Sequence, residues 1–188
     1  LEHAPFAFWL VDACRPKTFV ELGTHAGFSY LSLCQAVARL EIPSQGFAID
    51  HWKGDEQTSF YGEEVFEELV AYHDPHYASF SRLVRSTFDD AVAYFEDDSI
   101  DLLHIDGLHT YEAVLHDFET WRPKLSSRAV VLLHDTNVRE QDFGVHRLWA
   151  ELRAEHPGFG FVHGHGLGVL GVGPELPAAV GALVDAEL

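Results

Sequence analysis

The chain has no methionine, only two cysteines, and 12 basic residues against 30 acidic ones. Without a methionine, these 188 residues are expected to be a piece of a longer protein. Cys14 and Cys34 lack the C-x-x-C spacing of a zinc or redox motif and are too few for a disulfide framework. They are expected to be buried thiols in a reducing compartment. The formal charge of −18 would repel a phosphate backbone over most of the surface, so no nucleic-acid partner is expected. No apolar run approaches the roughly 20 residues of a membrane span, and the N-terminus shows no charged-then-apolar leader. The expectation is a cytoplasmic protein with no membrane partner.

Hydrophobic residues make up 47% and charged ones 22%, the range of a globular chain able to bury a core. One domain over residues 1–188 is expected. Apolar spacing predicts helices over His3–Ala13, Gly27–Leu40, Glu63–Tyr72, Phe88–Phe95, Tyr111–Trp121 and Val145–Glu155. Between them lie short apolar runs that read as strands: Thr18–Leu22, Gly46–Asp50, Arg82–Arg85, Ile100–Ile105 and Ala129–Leu133. Such alternation belongs to an α/β fold, a parallel sheet covered on both faces. After the last helix, Phe159–Val162 and Leu167–Val172 are too close for anything but an antiparallel hairpin. His51–Ser59 reads as a polar loop. The acidic runs Asp89-Asp90 and Glu96-Asp97-Asp98 read as solvated surface.

Ligands of open α/β sheets bind outside the carboxyl ends of the strands, where the strand order reverses. Those ends carry Glu21-Leu22-Gly23, Asp50-His51-Trp52, Ser86-Thr87-Phe88, Asp106-Gly107-Leu108-His109 and His134-Asp135-Thr136. The first turn, Glu21 to Ser29, places Gly23 and Gly27 four apart. That spacing is not the dinucleotide fingerprint, and an acid upstream of the turn would repel a diphosphate. It suits a ligand with a cationic amine and ribose hydroxyls, with Asp50 placed to accept from the ribose. Asp106 and Asp135 end the two most apolar strands, which a parallel sheet sets side by side. Two adjacent buried carboxylates repel, so a cation or a shared proton is required.

These segments, together with Ile105-Asp106-Gly107-Leu108-His109-Thr110-Tyr111 and Gly144-Val145-His146-Arg147-Leu148-Trp149, resemble the class I S-adenosylmethionine-dependent methyltransferases. The resemblance is to the small-molecule group known as methyltransferase family 24. It implies a Rossmann-like, doubly wound, seven-stranded sheet: five parallel strands plus the C-terminal hairpin. It also implies that Glu21, Gly23, Thr24, Gly27 and Ser29 surround the amino-acid portion of the cofactor. Asp50 would bind its ribose, while Ser86 and Phe88 would flank its adenine. Asp106, Asp135 and His134 would hold a divalent cation, magnesium or manganese. His134 and Thr136 depart from the catechol-type pattern, and imidazole is a poor magnesium ligand.

His109 follows Asp106 by three residues, where catechol-type relatives place a lysine base. An imidazole can take a hydroxyl proton near neutral pH, so His109 and Asp106 are the candidate catalytic residues. His25, His51 and His163 are further candidates to line the cleft, and Trp52 and Tyr61 to form a lid over it. The resemblance implies methyl transfer to a hydroxyl of a small molecule or sugar. It also implies a homo-oligomer or fusion to a glycosyltransferase-type protein. The alternative is a non-catalytic methyltransferase-like module that binds cofactor or a partner.

Overall fold

The structure, a computed structural model, describes residues 3–55, 59–140 and 142–186. Nine strands are present among them: β1 Thr18–Leu22, β2 Gln45–Asp50, β3 Gly54–Asp55, β4 Ser59–Phe60, β5 Ser81–Arg85, β6 Ile100–Ile105, β7 Leu125–His134, β8 Gly158–Phe161 and β9 Leu167–Gly171. Seven form one sheet in the order β5-β2-β1-β6-β7-β9-β8. The first five are parallel, and β9 and β8 are antiparallel. The chain starts in the middle at β1, builds outward to β2 and β5, then returns to β6 on the other side. The order therefore reverses between β1 and β6, which opens a crevice above their carboxyl ends.

Seven α-helices are present among the described residues: α1 Ala4–Cys14, α2 Phe28–Arg39, α3 Glu63–Tyr77, α4 Phe88–Ala91, α5 Tyr111–Trp121, α6 Val145–Glu155 and α7 Ala178–Val184. Because β6 is buried along its whole length, both faces of the sheet must be covered. On one face α1, α2 and α7 pack Leu10, Leu33, Val37 and Val184 against Phe19, Leu102 and Val130. On the other, α5 and α6 pack Val114, Phe118, Trp121 and Leu148 against Val20, Leu103 and Val131. Cys14 and Cys34 lie in the first of these layers as free thiols, and burial pushes both up to about 12. No described helix is long and apolar enough to cross a membrane.

Several boundaries differ from the sequence reading for local reasons. Helix α3 runs on through Pro75 to Tyr77. Burial of His73 and Tyr77, with His73 Nε2 2.7 Å from Ser81 Oγ, offsets the amide that proline lacks. After α4 the expected Phe88–Phe95 helix tightens to a 3₁₀ turn over Val92–Tyr94. Strand β7 begins four residues early, at Leu125, which pairs with Ile100 across a register shift. The loop after β2 holds the small β3-β4 hairpin, and α7 adds a helix too short to show periodicity.

Candidate active site

The turn from β1 into α2 is shaped by close backbone approach. Gly23 has φ +84°, and a side chain there would overlap the carbonyl oxygen of Asp106. The absent Cβ lets the ends of β1 and β6 meet, with Asp106 N–H donating to Leu22 O at 2.8 Å. Gly27, at φ +80°, begins α2 where a side chain would collide with Leu69. Asp50 ties the turn down: its Oδ2 accepts the N–H groups of Thr24 and His25, both at 2.9 Å. Its Oδ1 accepts from Trp52 N–H at 2.7 Å. Three of a carboxylate's roughly four acceptor positions are thereby used.

Glu21 is fully buried beneath the turn, its Oε2 2.7 Å from Nδ1 of His104 on β6. The pair could have been noticed in the sequence, since His104 interrupts an otherwise apolar strand apart from Asp101. The pair's other atoms, Glu21 Oε1 and His104 Nε2, have no hydrogen-bond partner among the described residues.

Two cavities open above the strand ends. The first, of ≈ 630 Å³, is lined by Gly23, Asp50, Ser86, Phe88, Asp106 and Asp117, among others. The second, of ≈ 440 Å³, lies between α1, α2 and the sheet, with Phe6, Phe28, Ser29, His104, Asp106 and His134 in its wall. Asp106 belongs to both. Of the residues expected around a cofactor, Gly23, Asp50, Ser86 and Phe88 face the first cavity and Ser29 the second. Glu21, Thr24 and Gly27 line neither and act from behind the turn.

At the ends of β6 and β7, Asp106, His134 and Asp135 bring one ligand atom each within 4.8 Å of one another. His134 Nδ1 lies 3.2 Å from Asp106 Oδ1 and 3.1 Å from Asp135 Oδ1. His109 Nε2 spans the same carboxylates, 3.4 Å from Asp106 Oδ1 and 3.0 Å from Asp135 Oδ2, and its ring stacks on Phe143. Asp135 has φ +60°, a conformation that aspartate tolerates better than most residues.

Burial alone would push the carboxyls up and the imidazoles down. The hydrogen bonds and charges of the cluster outweigh it. Asp106 is held well below the usual carboxylate range and Asp135 falls to about 2. His109 rises to about 9 and His134 to about 10.

The remaining candidates separate. His25 and His51 line the first cavity, as does Tyr61, whose ring lies 4.8 Å from that of His25. Trp52 is buried, packs on Phe66 and donates from Nε1 to His25 O, so it is a wedge beneath the turn and not part of a lid. Residues 56–58 of the expected lid lie outside the described residues. His163 packs its ring tilted against His3 and edge-on to Phe161, and is not among the residues lining the first cavity. One residue was missed altogether: Asp117 of α5, buried in the wall of the first cavity. Its signal was a carboxyl inside the apolar stripe Val114, Phe118, Trp121.

Comparison with known proteins agrees with this architecture. The uncharacterized protein y4gI of Sinorhizobium fredii is 52% identical over 183 residues. That match covers 97% of this chain but 20% of y4gI, so the chain spans about a fifth of that relative's length. Among solved structures, the SAH-bound Podospora anserina methyltransferase PaMTH1 superposes with a TM-score of 0.68 at 11% identity, covering 89% of this chain and 76% of that one. The O-methyltransferase TomG of Streptomyces achromogenes, solved with SAM, gives 0.65 at 16% identity, covering 92% and 80%. A Geobacter sulfurreducens methyltransferase gives 0.64 at 17% identity, covering 91% and 78%. These likenesses establish a shared Rossmann-like fold. A family model described as a methyltransferase domain matches residues 20–136, from β1 to just past Asp135, and the chain belongs to that family, methyltransferase family 24.

Proposed function

We propose that this domain transfers a methyl group from S-adenosylmethionine to a hydroxyl of a small molecule or sugar. The observation that carries the reading is the position of Asp106 at the junction of the two cavities. A donor with its nucleoside in the first and its amino-acid end reaching past Asp106 toward Ser29 would meet, beside Asp106, an acceptor in the rest of the second. Positioning is the main requirement of such a transfer, since reacting atoms must be held near 3 Å apart and in line. The first cavity fits the cofactor: Asp50 keeps one acceptor position for a ribose hydroxyl, and Ser86 and Phe88 flank space for a base. Ser29, at the start of α2 in the second cavity, suits the amino-acid end. The walls of the second cavity, with Phe6, Phe28 and His3, suit the apolar face of a sugar or aromatic ring.

Asp106, Asp135 and His134 form an oxygen- and nitrogen-donor set that suits manganese better than magnesium. A divalent cation held there would polarise the acceptor hydroxyl and make its proton easier to lose. His134 would bind it as neutral imidazole, giving up the proton that the carboxylates otherwise hold on it. His109 is charged at neutral pH while Asp106 and Asp135 are its partners. It accepts a proton only when those carboxylates are otherwise engaged.

The test is methyl transfer from radiolabelled S-adenosylmethionine to a panel of sugars, vicinal diols and phenols, with and without manganese. Product is expected with at least one hydroxyl acceptor. A second reading, a non-catalytic module that binds cofactor within a larger assembly, is favoured by the fivefold greater length of y4gI. Tight binding of S-adenosylhomocysteine with no turnover on the full panel would select it. The localisation expected is the cytoplasm.

A further inference from the structure

Helix α5 presents Val114, Asp117, Phe118 and Trp121 to the interior, the i, i+3, i+4, i+7 stripe of a helix laid on a sheet. Three of the four are apolar and sit in the core. Asp117 is only 7% exposed, yet no hydrogen bond or ion pair satisfies it among the described residues. A carboxyl in such a place is costly unless something meets it. Asp117 lines the first cavity, as do Ser86, Phe88, Leu108 and Ala113. A Cβ at Gly107 would lie 2.6 Å from Phe88 Cε2 and 3.4 Å from Asp117 Oδ2, so ring, bare backbone and carboxyl converge on one spot. The result is a slot walled by the Phe88 ring and bare backbone, with the buried Asp117 carboxyl at its side. Burial pushes Asp117 up to about 7, which His116 opposes and Asp89 reinforces. In either protonation state the carboxyl keeps an oxygen able to accept.

We propose that Asp117 is a specificity-determining residue for the cofactor, accepting a hydrogen bond from the exocyclic amine of its adenine. The inference rests on the cofactor reading of the first cavity given above. A flat base between Phe88 and Leu108 would carry its amine to this buried carboxyl. A base with a carbonyl in that position would set oxygen against oxygen and leave Asp117 buried without a partner.

The test is calorimetric binding of S-adenosylhomocysteine and its 6-oxo analogue, S-inosylhomocysteine, to the wild-type domain, Asp117→Asn and Asp117→Leu. The wild type is expected to prefer the adenosyl compound by roughly tenfold or more, the scale of one buried hydrogen bond plus a repulsion. Asn can accept from the amine or donate to the oxo group, so its preference falls to within about threefold. Leu removes the acceptor and should bind the two compounds within about twofold of each other. A full preference retained in both variants overturns the assignment while leaving the cofactor reading intact. Failure of the wild type to bind either compound overturns both. Thermal melting of the free domain guards against misfolding. An Asp117 that served only the fold would make Asp117→Asn less stable, whereas the proposal expects it to be at least as stable as the wild type at pH 8.

Discussion

Asp106 and Asp117 are both acids in the wall of one cavity, yet their surroundings are opposite. Asp106 sits among imidazoles: His109 and His134 lie within 3.4 Å of it and hold it ionised. Asp117 has no such partner among the described residues, and burial pushes it up to about 7. Burial has the same sign for both, so the neighbours decide the difference. A carboxylate compensated by its own protein is ready to exchange those partners for a cation. One left uncompensated awaits a neutral donor.

The comparison breaks most visibly at Asp106. Replacing it by Asn keeps the shape but removes the charge shared by the two cavities, and methyl transfer should fall by at least about 10³-fold. Initial rates under saturating cofactor measure this; a loss below tenfold would remove Asp106 from the chemistry. Gly23→Ala reaches the same residue through the backbone, forcing a side chain into the Asp106 carbonyl at a positive φ. It should cost about 3 kcal/mol or more of unfolding free energy, read by urea denaturation.

Both regions lose stability as pH rises, but over different windows. Asp117 has a folded value near 7, above its unfolded value, so the unfolded state releases its proton first and stability drains away as pH rises from about 4 to 7. Asp117→Asn should therefore stabilise the free domain by about 1–3 kcal/mol at pH 8 and by little at pH 4. Near Asp106 the imidazoles carry the effect. His109 and His134 are raised to about 9 and about 10. Their stabilisation is complete below the unfolded value of about 6.5 and is lost as pH climbs through 9 to 10. In metal-free protein, His134→Ala should flatten that loss by about 1 kcal/mol between pH 7 and 10, measured by denaturation at each pH.

Much of this arrangement was legible in the residues alone. Strands β1 and β6 and helices α5 and α6 follow from predominantly apolar runs or helical spacing. The neighbouring ends of β6 and β7 make Asp106 and Asp135 a pair, and Asp50, Ser86 and Phe88 stand at the other strand ends. What the residues alone did not show depends on direction. Glu21 points under the turn toward His104, not into a cavity, and no spacing rule states which way a strand-end acid will lean. Asp50 was expected at the ribose, but most of its acceptor capacity goes to Thr24, His25 and Trp52. Asp117 was overlooked because a single polar residue in an apolar stripe reads as part of the helix's wet side. The helix α7 and the β3-β4 pair are too short to carry a period.

The most direct measurement is a crystal structure of the domain with S-adenosylhomocysteine and manganese. The base is expected between Phe88 and Leu108 beside Asp117, the sulfur at the junction by Asp106 facing the second cavity, and anomalous density between Asp106 and Asp135. A nucleoside bound outside both cavities, with that junction filled only by His109 and His134, would contradict this placement.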